Sequence, residues 1–195
     1  MSTVKRNHIS KRFLDLAILG EEIFHAQDLA NLWEISDKNT LHTTLKRYTQ
    51  KGLLHRIYRG LYTIKPISEI NPWELGLKIM HGYAYIGAET VLFQEGIINQ
   101  SPNAITIISN KSKRIIVGQN NYHFRKLHDM YLYNPDGILI KNKFMISTVE
   151  RAIADMLYFN PLIYFDNNKL INWAKVKRIQ KSLGYPPTPK RHAAS

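Results

Sequence analysis

Apolar positions in the first third of the chain recur at three- and four-residue spacings in three short runs, and a fourth run alternates apolar with polar residues. Between Ser10 and Leu19, the residues Phe13, Leu14, Leu16, Ala17 and Ile18 predict a helix with one buried stripe, closed at Gly20. Leu29, Ala30, Leu32 and Trp33 predict a two-turn helix over Ala26 to Trp33, after which Ile35 to Thr40 form a polar turn. Ser36, Asp37 or Asn39 is then placed to cap a third helix, Asn39 to Gln50. In this helix Leu41, Leu45 and Tyr48 share the inward face, so Thr40, Thr43, Thr44, Lys46, Arg47 and Lys51 are expected to face solvent. Leu53 to Ile64 reads as two short strands turned at Arg59 and Gly60. Three helices followed by a strand hairpin is the order of a winged helix-turn-helix, with the hairpin as the wing.

Pro66 and Pro72 bracket a short polar connection, which predicts three segments: 1–66 as the winged helix-turn-helix, 67–185 as a second domain and 186–195 as a proline-rich flexible tail. The second domain opens with helices near Trp73 to His81 and Ala88 to Glu95. Six β-branched and aromatic segments follow, Ala104–Ser109, Arg114–Gly118, Tyr122–Leu127, Met130–Tyr133, Gly137–Ile140 and Phe144–Ile146, and they predict an antiparallel meander. A helix capped by Ser147 or Thr148 runs to Phe159, and a basic amphipathic helix runs from Asn168 to Ser182. The fold class expected is therefore α+β, an N-terminal winged helix followed by a mixed helix and antiparallel-sheet domain.

Charge directs this architecture toward a partner. Lys and Arg outnumber Asp and Glu by 27 to 15, and a net charge of +12 favours polyanions. No apolar stretch has the length of a membrane span, and MSTVKRNHIS lacks the apolar core of a signal peptide, so a cytoplasmic protein with no membrane partner is expected. Double-stranded DNA is the favoured partner, because a helix fits the major groove and its flanking cations meet phosphates. Thr40, Thr43 and Thr44 are the candidates for base-edge or backbone contact, with Lys38, Lys46 and Arg47 as phosphate anchors and Arg47 the best placed of these for guanine. On the wing, Arg56, Tyr58 and Arg59 alternate with Leu54, Ile57 and Leu61, which puts Arg59 at the tip for a narrow minor groove.

The wing string Leu53-Leu54-His55-Arg56-Ile57-Tyr58-Arg59-Gly60-Leu61-Tyr62 resembles that of the AbiEi-type antitoxins. The segment Tyr85-Ile86-Gly87-Ala88-Glu89-Thr90-Val91-Leu92 is similar to their Tyr-Ile-Ser-x-Glu-Ser-Ala-Leu run, with Gly87 and Thr90 in place of its two serines. The helix Thr148 to Leu157 also resembles theirs, so the likeness spans Ser10 to about Phe159. It implies a bacterial autorepressing regulator that binds an operator at its own gene and opposes a cognate nucleotidyltransferase-like toxin.

Two other classes stand beside this reading. One is a module that binds an acidic protein partner without DNA. The other is a nuclease-related enzyme, for which Asp136 to Lys141 comes nearest to a metal-binding triad but has Leu139 where a second carboxylate is needed. Glu89 and Glu150 are expected to cap or pair within their helices. With no cysteine and eight scattered histidines (His8, His25, His42, His55, His81, His123, His128 and His192), no metal site, cofactor or catalytic residue is expected.

Overall fold

The computed structural model describes residues 2–187, an α+β protein that divides between Asn71 and Pro72 into two compact units. The division falls at the end of the Pro66–Pro72 connection. The tail expected over 186–195 lies, from residue 188 onward, outside the described residues.

The first unit runs α1 (Ser2–Leu19), β1 (Ile23–His25), α2 (Ala26–Leu32), α3 (Lys38–Gln50), β2 (His55–Tyr58) and β3 (Leu61–Thr63). The strands form a small antiparallel sheet in the order β1-β3-β2. β1 was not anticipated; it continues directly into α2, whose first amide, on Ala26, donates to the Gly60 carbonyl at 2.8 Å. The core gathers Leu16, Leu29, Ala30, Trp33, Leu41, Leu45 and Leu54 around Tyr48, which is fully buried. The Trp33 ring meets Tyr48 edge-on at 5.6 Å and Phe13 tilts against it at 5.5 Å, while Arg12 donates to its hydroxyl at 3.1 Å. The stripe expected on α1 is narrower than predicted. Leu16 and Phe13 face the core, but Leu14, Ala17 and Ile18 point outward, because residues 14 and 18 share a face that 13 and 16 do not.

The second unit contains α4 (Pro72–Ile79), β4 (Ala84–Ile86), α5 (Ala88–Gln94), β5 (Ile105–Ser109), β6 (Lys113–Val117) and β7 (Asn120–Lys126). It continues with α6 (Asp129–Leu132), β8 (Ile138–Lys141), β9 (Phe144–Ser147), α7 (Val149–Phe159) and α8 (Trp173–Leu183). Six strands lie in the order β6-β7-β5-β4-β9-β8. This sheet is mixed, not the expected meander: β4 pairs parallel with β9, and β5 parallel with β7. Non-local pairing is what a local alternation pattern cannot encode. Met130–Tyr133, expected as a strand, is a helical turn instead. Leu132 alone of the four is fully buried, and Met130 and Tyr133 are both exposed, so no period-two face exists. Tyr83 to Ile86, left unassigned by pattern, supplies the central strand β4.

α4 packs on one face of the sheet so closely that a Cβ on Gly76 would stand 2.6 Å from Ile107 Cδ1. On the other face α7 carries a fully buried Arg151, and all five guanidinium N–H groups are used. Nε donates to Asp155 Oδ1 (2.9 Å), Nη1 to the carbonyls of Asn134 (3.1 Å) and Asp136 (2.9 Å), and Nη2 to the Tyr131 carbonyl (2.8 Å) and the Tyr85 hydroxyl (3.0 Å). Asp155 in turn accepts from the hydroxyls of Tyr85 (2.7 Å) and Tyr185 (2.8 Å). Burial pushes the Asp155 carboxyl up, and Arg151 and the two phenols pull it back. The Tyr85 and Tyr185 hydroxyls are raised by burial and then by Asp155, which keeps both as donors. None of the described helices is long and apolar enough to cross a membrane.

Two stability predictions follow from this packing. Arg151→Ala leaves a buried, unpaired Asp155 and the Asn134 and Asp136 carbonyls without the donor that holds them, and is expected to cost about 3–5 kcal/mol in a denaturant titration. Gly137 and Gly96 share a left-handed backbone, with φ of 77° and 69°, but a Cβ on Gly137 would meet Arg151 Cβ at 2.6 Å and one on Gly96 would meet nothing. Gly96→Ala is therefore expected to lose about 1 kcal/mol, from backbone strain alone. Gly137→Ala should lose about 1–3 kcal/mol more, from the clash. Equal losses in the two variants would contradict the packing described.

Candidate nucleic-acid interface

The third helix is fixed at its start by Asp37, which accepts from the Thr40 amide. That amide, and next the Thr40 hydroxyl, hold the Asp37 carboxyl below its usual 3.8. Along α3 the buried positions are Leu41, Thr44, Leu45 and Tyr48, a stripe at spacings of three, one and three. The outer face then carries Lys38, Asn39, His42, Thr43, Lys46, Arg47 and Gln50, all exposed.

The expected site residues divide accordingly. Lys38, Thr43, Lys46 and Arg47 are exposed on α3, and Arg56 and Arg59 are exposed on the β2–β3 ribbon, with Tyr58 half-buried. Thr44 is a correction: only 6% exposed, it belongs to the inward stripe, one turn before Tyr48, and cannot reach a ligand. Thr40 is exposed, but its hydroxyl is engaged by Asp37 as part of the cap. Arg47 stands with its guanidinium carbon 5.5 Å from the Tyr48 ring centroid, a cation–π distance that holds it back toward the protein.

A groove of about 510 Å³ joins the helix to the ribbon, lined by His42, Lys46, Thr49 and Gln50 of α3, Arg56 of β2 and Tyr62 of β3. Lys46 and Arg56 thus face the same concavity, and Arg47 does not line it. His42, Thr49 and Gln50 were missed at the sequence level, although 42, 46, 49 and 50 lie on one helix face by spacing. The ribbon is short. Tyr58 pairs with Leu61 across a two-residue turn, in which Gly60 takes a φ of 74° that a side chain would resist, and a bulge between Arg56 and Tyr58 sets Ile57 out of register.

No Asp or Glu occurs from Lys38 to Ser68, a stretch holding Lys38, Lys46, Arg47, Lys51, Arg56, Arg59 and Lys65. Lys65 is neutralised by Glu22. The groove and its borders are therefore positive by composition as well as by placement.

In the second unit the two helix-start carboxylates pair across elements, and not within their helices as expected. Glu89 accepts from Arg125 of β7 at 2.6 Å, and Glu150 lies 3.8 Å from Lys175 of α8. Asp136, the first residue of the triad-like run, accepts from the Ser182 hydroxyl and lends its carbonyl to Arg151. Among the described residues, no group of three or more His, Asp or Glu side chains is placed to hold a metal ion. No protein-family model matches this chain, and no curated protein matches its sequence.

Proposed function

We propose that the first unit is a winged helix-turn-helix that binds double-stranded DNA, with α3 in the major groove and the β2–β3 ribbon on the adjacent backbone or minor groove. The observation that carries this reading is the shared groove of Lys46, His42 and Arg56, which brings helix and ribbon cations to one concave, acid-free surface. The element order, with β1 completing a β1-β3-β2 sheet behind the hairpin, supports the same reading. So does Lys38, because a cation at a helix N-terminus opposes the helix dipole and is not accounted for by helix stability.

On this reading the chain is a transcriptional regulator, and its resemblance to the AbiEi-type antitoxins makes it an autorepressor that opposes a nucleotidyltransferase-like toxin. The antitoxin role rests on that resemblance alone. Its test is to sequence the reading frames adjoining its gene and co-express the chain with any nucleotidyltransferase-like one: restored growth supports the role, and unrelieved growth arrest or no such frame overturns it.

Fluorescence anisotropy on a promoter fragment from its own gene tests the DNA reading. Log affinity is expected to fall with log salt at a slope of about −0.9 per phosphate contacted. Lys46→Ala and Arg56→Ala should each weaken binding by about 1–3 kcal/mol if they reach bases, or flatten the slope by about one contact if they reach phosphate. Arg47→Ala, withdrawn over Tyr48, is expected to do less than either. A chain that retards no DNA at any salt would sink this reading and favour an acidic protein as the partner.

A further inference from the structure

The second unit contains a cleft of about 590 Å³, a volume typical of small-molecule sites, where the helix layer over the sheet ends short of the edge strand β6. Its floor is set by strand register. His123 on β7 lies between Thr106 on β5 and Arg114 on β6, so the three side chains share one face. Ile116 stands two residues beyond Arg114 on that same face and is 74% exposed.

Glu89 enters the cleft from the first turn of α5. One carboxylate oxygen is taken by Arg125, whose guanidinium is further held by Met156 Sδ at 3.1 Å and by the Phe159 ring, 4.0 Å from its centroid. The Glu89 side chain lines the cleft and is 29% exposed, so its carboxylate is an acceptor at this end of it. The imidazole of His123 is held below its usual 6.5 by burial first, then by Arg114 and Arg125, so it is neutral at pH 7. Arg114 is exposed and makes no ion pair among the described residues, so its donors face the cleft unneutralised.

These groups specify a ligand in three parts. The Glu89 carboxylate fits an N–H or O–H donor, the wall of Ile116 and neutral His123 fits a flat, largely apolar body, and Arg114 fits an anion. Inorganic phosphate offers an O–H donor and an anion but no flat apolar body. We infer that this cleft binds a nucleoside phosphate, either free or as the phosphorylated end of a strand, with the base toward Glu89 and the phosphate on Arg114. The site lies wholly in the second unit, and it stands whether or not the first unit binds DNA.

Calorimetric titration of the full chain tests it, with AMP, GMP, CMP and UMP, a 5′-phosphorylated pentanucleotide, the unphosphorylated nucleosides and inorganic phosphate as separate probes. At least one mononucleotide or the pentanucleotide is expected to bind with a Kd at or below about 1 mM, and whichever binds more tightly identifies the source. Arg114→Ala should weaken that binding about ten-fold or more, and Ile116→Glu should abolish it by placing a carboxylate beside the phosphate. Both substitutions are at exposed positions, so the thermal melting profile should stay that of the parent chain. The site is overturned if no nucleotide binds, if phosphate binds as tightly as any nucleotide, or if Arg114→Ala leaves the affinity unchanged.

Discussion

The second unit depends on one guanidinium that has no contact with water. Stripping Arg151 and Asp155 of their hydration costs several kcal/mol for each ion, and the pair is tolerable in the interior because every donor on the arginine has an acceptor. Those acceptors come from separate parts of the chain: the hydroxyl of Tyr85 on β4, the backbone of Tyr131, Asn134 and Asp136, and Asp155 one helical turn away. Asp155 then brings in Tyr185, just beyond the end of α8. The network is less a source of net stability than a fixture. It determines where α7 rests on the sheet, hence where the helix layer stops, and hence that the β6–β7 face beside Glu89 is left uncovered.

Tyr48 has a comparable role in the first unit, by packing. Its ring is enclosed by Phe13 and Trp33, and its hydroxyl accepts from Arg12, so α1, α2 and α3 are all referred to one side chain. Because Tyr48 and its stripe face inward, the opposite arc of α3 has no choice but to project outward, and that arc holds His42, Lys46 and Gln50. The orientation of the cationic groove follows from where an aromatic ring is buried.

Much of this was legible in the sequence where the signal is local. The three-and-four spacing in α3 and α7, the turn at Arg59–Gly60 and the short polar runs from which Asp37 and Thr148 supply the caps are written in consecutive residues, and the elements appear within a residue or two of expectation. Thr44 was misread because its hydroxyl suggested solvent, although 41, 44, 45 and 48 form the more regular stripe. The parallel pairings of β4 with β9 and β5 with β7 join segments far apart in sequence, and no alternation pattern carries that information. Arg151 and Asp155 stand four residues apart, a spacing that ordinary surface pairs share and that does not mark them out. Their full burial depends on backbone carbonyls supplied by a loop some fifteen to twenty residues upstream. The Glu89–Arg125 contact was hidden for the same reason.

The bond from the Ala26 amide to the Gly60 carbonyl joins the tip of the hairpin to the first residue of α2. Exposed hairpin ends usually absorb added residues with little penalty. Here any lengthening would draw the turn away from the helix start and break the tie. Divergence at this corner of the molecule is therefore confined to exchange of one side chain for another, and the span of the ribbon is inherited as a fixed length.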